Sequence, residues 1–131
     1  MFPRYLSITH IVFLALALCC GCGGIQTEPV SGVVTLDGEP LTGVQVVFHP
    51  VEGDRKNSVG TTDETGAYSL DYTRHDVGAM IGQYKVLISK RVSTDKGEVE
   101  TLPKKFNRES NFKAEVTSTG NNKFDFELES E

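Results

Sequence analysis

The chain has 131 residues, 38% of them hydrophobic and 24% charged, with a formal net charge of −5. That length holds one domain with a modest core, and the acidic balance argues against a nucleic-acid partner, because phosphate binding needs a clustered basic field. The three cysteines, Cys19, Cys20 and Cys22, all lie near the N-terminus, so no disulfide is expected in the domain that follows.

In chain order, Arg4 precedes the apolar run Ile11 to Leu18, which breaks at Cys19-Cys20-Gly21-Cys22-Gly23-Gly24. A run of about eight apolar residues is too short to cross a hydrocarbon layer of roughly 30 Å as a helix, but it fits the apolar region of a secretory leader. Lipoprotein processing needs a small residue before the cut and a cysteine after it, whose thiol receives the diacylglycerol. Cys22 meets this need, with Gly21 before it and Gly23 after it, whereas Cys19 follows the bulky Leu18 and Cys20 follows another cysteine. Cysteines stand where Leu and Ala or Ser are commoner, which leaves the cut open among the three. The expected organisation is a lipoprotein signal peptide over 1–21, a lipidated Cys22 with a short linker over 22–29, and one domain over 30–131. A linker from Gly23 to Pro29 spans at most about 25 Å when extended, so the domain is expected near its membrane. The two or three acyl chains of a processed lipoprotein hold firmly, at about 0.8 kcal/mol per buried CH₂.

From Val30 onward, short alternating runs are separated by Gly, Asp, Asn and Pro, with no helix-length stretch of helical periodicity, which predicts an all-β domain. Val30 to Leu36 is followed by the tight-turn dipeptide Asp37-Gly38 and then by Leu41 to His49, where Val44, Val46 and Phe48 share a face, and these two runs are expected to be neighbouring strands. After a polar loop, Pro50 to Asn57, the runs Ser58 to Thr62 and Tyr68 to Asp71 flank the turn Asp63-Glu64-Thr65-Gly66 as a hairpin. Gly82 to Lys90 puts Tyr84, Val86 and Ile88 on one face and is expected to be a central strand. Arg91 to Glu109 is polar, broken by Asp95-Lys96-Gly97 and Pro103, and is read as a long loop. Asn111 to Thr117 and Lys123 to Glu129 then flank Gly120-Asn121-Asn122, with Phe124, Phe126 and Leu128 on one face of the last run. About seven strands with turn signals between them predict a β-sandwich, since two half-apolar sheets bury each other face to face.

The order G-V-V-T-L-D-G-E-P-L-T-G-V-Q-V-V-F-H-P, then T-T-D-E-T-G-A-Y-S-L, then G-Q-Y-K-V-L-I, with P-K-K-F-N and N-K-F-D-F-E-L later, resembles the bacterial carboxypeptidase-regulatory-like, or transthyretin-like, domain carried by small lipoproteins. The resemblance covers almost all of the chain after Cys22. It implies a seven-stranded antiparallel Greek-key sandwich of the transthyretin or prealbumin type, attached to an envelope membrane, and it implies no reaction and no cofactor.

Several sites are weighed on their residues. His49-Pro50-Val51-Glu52 has the H-x-x-E spacing of zinc carboxypeptidases, and His75 would supply a third ligand to a small metal-dependent hydrolase. An exposed strand-end histidine is the plainer reading. Asp63, Glu64 and Asp71 lack the dense oxygen spacing of a calcium loop. The chain has no Trp to stack on a sugar ring, which leaves Tyr72 and Phe106 in loops as the aromatics of a glycan-binding face. Lys104, Lys105 and Arg108 flank Phe106 and form a basic contact loop for headgroups or an acidic partner. The sequence therefore points to a non-enzymatic, lipid-anchored envelope protein that binds an envelope protein or polysaccharide or serves a structural role, with the loops Pro50 to Asn57 and Arg91 to Glu109 as contact surfaces. Gly23 rather than an aspartate after Cys22 favours the outer membrane.

Overall fold

The computed structural model describes residues 25–130. The leader and Cys22 lie outside the described residues. The strands are β1 (Ser31–Leu36), β2 (Glu39–Pro40), β3 (Gln45–Pro50), β4 (Ser58–Thr61), β5 (Ala67–Ser69), β6 (Gly82–Ser89), β7 (Arg91–Thr94), β8 (Gly97–Glu100), β9 (Phe112–Val116) and β10 (Phe126–Leu128), with a single 3₁₀ turn at Lys104–Phe106. The all-β reading holds for these residues. Each run predicted from alternation contains a strand, and β2, β7 and β8 are additional.

The strands form two four-stranded sheets and a separate two-stranded one. In the first, β1 pairs with β10 on one side and with β5 and β2 on the other; in the second the order is β4-β3-β6-β9. The alternation written in the sequence is what the core uses. Val34, Val46, Phe48, Tyr84, Val86, Ile88 and Val116 are fully buried, and Tyr68, Phe126 and Leu128 nearly so, in one cluster fed by both sheets. Rings bridge the layers: Phe48 lies 5.7 Å from Phe124 and Phe112 lies 5.4 Å from Phe126, within the range in which aromatic pairs attract.

Two expectations about pairing are corrected, and a third holds. The runs at Val30–Leu36 and Leu41–His49 are not neighbours, because the chain leaves the first sheet after β2 and re-enters in the second as β3, which pairs with β4 and β6. Asp37 and Gly38 do make the tight turn, with φ of 51° and 85°, but it closes only the two-residue ladder to β2. The runs on either side of Asp63–Gly66 do meet as a hairpin, closed by the Asp63 N–H donating to the Ala67 carbonyl at 2.9 Å and bridged antiparallel at Val59 and Asp71, while each also pairs outward, β4 with β3 and β5 with β1. Finally, β10 runs parallel to β1, with Val34, Thr35 and Leu36 opposite Phe126, Glu127 and Leu128. The approach to β10 is irregular, and here side chains complete the ladder. The Asp125 carboxylate accepts the Val33 N–H at 2.8 Å, and the Tyr68 hydroxyl donates to the Phe124 carbonyl at 2.5 Å. Burial, with the nearby Asp125 charge, pushes the Tyr68 phenol upward, so it remains a donor.

At the end where β1 begins, the segment before it bridges to the loop that precedes β6, through Glu28 and Ala79. The loop 51–57 and the turn at 117–122 lie at the same end, the first following β3 at Pro50, which pairs with Tyr84, and the second bonding Ser31 through the Asn122 carbonyl.

Candidate functional site

The stretch Arg91 to Glu109, read from sequence as a loop, is mostly ordered by its own bonds. β7 and β8 form a hairpin with Arg91 opposite Glu100 and Val92 opposite Val99, closed at Gly97. Glu100 fastens it to the body. One carboxylate oxygen accepts the Lys90 and Leu102 N–H groups at 2.8 and 3.0 Å, and the other accepts the Ser89 hydroxyl at 2.5 Å. Burial works to raise the Glu100 pKa, but these donors and the Arg91 guanidinium, 3.9 Å away, outweigh it and hold the carboxyl below its ordinary value. The 3₁₀ turn is fixed next, as the Asn107 amide donates to the Pro103 carbonyl at 3.1 Å and the buried Ser110 hydroxyl donates to the Val86 carbonyl.

This excursion stands over the outward face of β4-β3-β6 and leaves an open groove of about 1030 Å³. The floor is the outer row Gln45, Val47, Thr61, Leu87 and Ser89; the wall is Arg91, Glu98, Glu100, Leu102, Lys104, Asn107 and Arg108. Val47 sits opposite both Val59 and Leu87, so a half-buried apolar strip runs across the sheet between polar rows. With Glu100 engaged, the unengaged charges of the wall are Lys104, Arg108 and Glu98. Such a surface can hold an extended polar or acidic segment by charge and hydrogen bonds.

The basic contact loop is divided by the fold. Lys104 and Arg108 line the groove, whereas Phe106 is buried in the core, its ring 6.2 Å from that of Phe112 and nearly parallel to it. Lys105 lies over that ring at 4.9 Å and lines a separate hollow with Glu127 and Glu129. Phe106 is therefore not a loop aromatic available to a sugar. Tyr72 accepts the Lys56 N–H at 3.4 Å, in the loops at the opposite end.

His49 is exposed on β3 and shares a 2.8 Å hydrogen bond with the Asn57 side chain. Among the described residues no three His, Cys, Asp or Glu side chains are grouped to hold a metal ion, so His49, Glu52 and His75 are not assembled as a ligand set. Asp63 uses one oxygen to accept the Thr65 and Ala67 N–H groups and the Thr65 hydroxyl. Those bonds, led by the one from the Thr65 hydroxyl, lower its pKa and make it a turn former.

The loop Pro50 to Asn57 is closed by Arg55, whose importance nothing in the sequence pattern signals. Its guanidinium donates to the Glu52 carbonyl at 2.8 Å and the Ile81 carbonyl at 2.7 Å, and lies 5.0 Å from the centre of the Tyr84 ring. Gly82, at φ 146°, makes room for it, since a Cβ there would stand 1.4 Å from Arg55 Nη1.

No family model matches the chain, and no curated protein does. Among solved structures it is similar to a crystal structure of a 9R-lipoxygenase from Cyanothece, at 11% identity and a TM-score of 0.39, over 79% of this chain and 16% of that one. This chain thus matches only a small part of that structure's length, and so slight a likeness assigns neither fold family nor activity.

Proposed function

We propose that the protein is a non-enzymatic, lipid-anchored module of the cell envelope, held through Cys22 and facing outward with the groove beneath the Arg91–Arg108 excursion. The anchor rests on the leader pattern ending at Gly21-Cys22-Gly23, and outer-membrane placement on Gly23. A Greek-key, transthyretin-like sandwich remains the finer reading of the fold, supported by the motif order and by two four-stranded sheets around one core. The observation that carries the binding role is the groove itself: a rigid sheet floor under a wall fastened by Glu100 and Asn107, with Lys104 and Arg108 directed to it. A scaffold that holds a loop in one geometry lowers the ordering cost of recognition. The occupant is an extended segment of an envelope partner.

The test is photo-crosslinking in cells from a probe placed at Arg108, with a second at Glu39 on β2 as the reference, followed by mass spectrometry. One dominant partner captured from Arg108 and absent from Glu39 is the expected result. The same abundant envelope proteins captured from both positions would refute a defined groove partner and leave a structural role.

A further inference from the structure

Six large apolar side chains are exposed among the described residues, and four of them lie at one end: Ile25 at 51%, Val51 and Val77 at 55%, and Ile81 at 47%. The fold brings these four into adjoining loops. The Thr27 hydroxyl donates to the Val77 carbonyl at 2.7 Å, the Val51 N–H donates to the Gln83 carbonyl at 3.1 Å, and Arg55 ties the carbonyls of Glu52 and Ile81. The other two, Val92 and Val99, are paired on the β7–β8 hairpin beside the groove.

This is also the end from which the chain leads back to Cys22. Ile25 lies three positions after Cys22, so their α-carbons are at most about 11 Å apart, and Thr27, bonded to Val77, lies at most about 18 Å from Cys22. A lipidated Cys22 sits at the boundary of headgroups and acyl chains, so a tether this short leaves these loops within reach of the headgroup layer and raises their effective concentration there. Clustered exposed apolar side chains mark a contact surface. Charge does not choose the partner, because the same loops carry Lys56 and Arg74 together with Glu28, Glu52, Asp54 and Asp76.

We propose that Ile25, Val51, Val77 and Ile81 form a membrane-seating pole, which rests on the lipid surface and fixes the orientation of the sandwich; this inference rests on the anchor proposed at Cys22. The chain has no tryptophan, so one introduced residue reports alone. Protein processed in cells and carrying Val77→Trp, Ile81→Trp or Val92→Trp is reconstituted in phosphatidylethanolamine and phosphatidylglycerol vesicles with brominated or plain acyl chains. Emission from Val77→Trp and Ile81→Trp is expected to be quenched severalfold more by brominated lipid than that from Val92→Trp. Equal quenching at all three positions overturns the pole. Blue-shifted emission without bromine quenching, in a protein of dimeric mass, overturns it in favour of a second copy as the occupant.

Intact mass of the wild type beside Cys22→Ala reports the anchor separately. If the wild type carries no acyl mass, the anchor reading falls alone, and the same tryptophan variants are added to the vesicles from solution. Selective quenching at Val77→Trp and Ile81→Trp would still support the pole, and its absence would overturn it.

Discussion

Arg55 shows how one exposed-looking side chain can close a loop. It gives hydrogen bonds to carbonyls on two segments and lies over Tyr84, whose phenol is pushed upward by burial against the pull of that same charge. Charge-assisted hydrogen bonds and a partly shielded cation–π contact are together worth about 2 kcal/mol. Arg55→Ala is therefore expected to lower the urea midpoint by that loss, and Arg55→Lys to recover little of it, because an ammonium cannot reach both carbonyls with a planar fork. A midpoint unchanged by Arg55→Ala would mean that the loop stands without it. The residue was illegible in the sequence: R in a polar G-D-R-K-N run has no periodic signature, and its partners Glu52, Ile81 and Gln83 contribute only backbone oxygens. Gly82 carried the complementary signal, but a glycine at the start of a strand is too common to be read.

At the scale of elements, the hairpin β7–β8 was legible in part. Arg91–Thr94 and Gly97–Glu100 each alternate around Asp95-Lys96-Gly97, with Gly97 at φ 106°, which is a hairpin pattern. It reads as a loop because its only apolar pair, Val92 and Val99, is exposed and adds nothing to the core. Its order comes from Glu100, which makes its attachment sensitive to acid. A carboxyl whose pKa is lowered by folding contributes stability at pH above its unfolded value, and that contribution is lost as pH falls through the folded value. For Glu100 the loss begins below about pH 4.5, and for Asp37 and Asp63, which are lowered mainly by hydrogen bonds, below about pH 3.8. The melting temperature is expected to stay level near neutrality and to fall on acidification. Glu100→Gln should start lower at pH 7 and fall less steeply, and parallel curves for the two proteins would show that Glu100 does not tether the hairpin.

Across the whole molecule, the two faces were written in the sequence and most of the neighbours were not. The period-two rows at Val44–Phe48, Tyr84–Ile88 and Phe124–Leu128 name the core because a strand buries alternate residues whatever it pairs with. Which strand lies beside which depends on crossings between sheets: the crossing at Thr42-Gly43 looks locally like a hairpin turn, whereas the turn at Asp63–Gly66 does join runs that meet again at Val59 and Asp71. The groove was invisible for the same reason, since its floor comes from β3, β4 and β6 and its wall from a segment far along the chain. The short β10 is integral to the core, as Leu128 is 1% exposed. Leu128→Ala is expected to destabilise the fold by about 3 kcal/mol, measured by urea denaturation, as buried leucine truncations do. A loss under about 1 kcal/mol would mean that β10 frays apart from the cooperative unit.

The parallel union of β1 with β10 joins positions 92 residues apart at Val33 and Asp125. While the chain emerges from a ribosome, β1 waits without this partner until β10 has appeared. A ladder that must be completed last holds back premature collapse, and contacts so distant along the chain make folding slow. The β1 ladder thereby closes only once β10 has been made, so the early part of the domain cannot lock by itself.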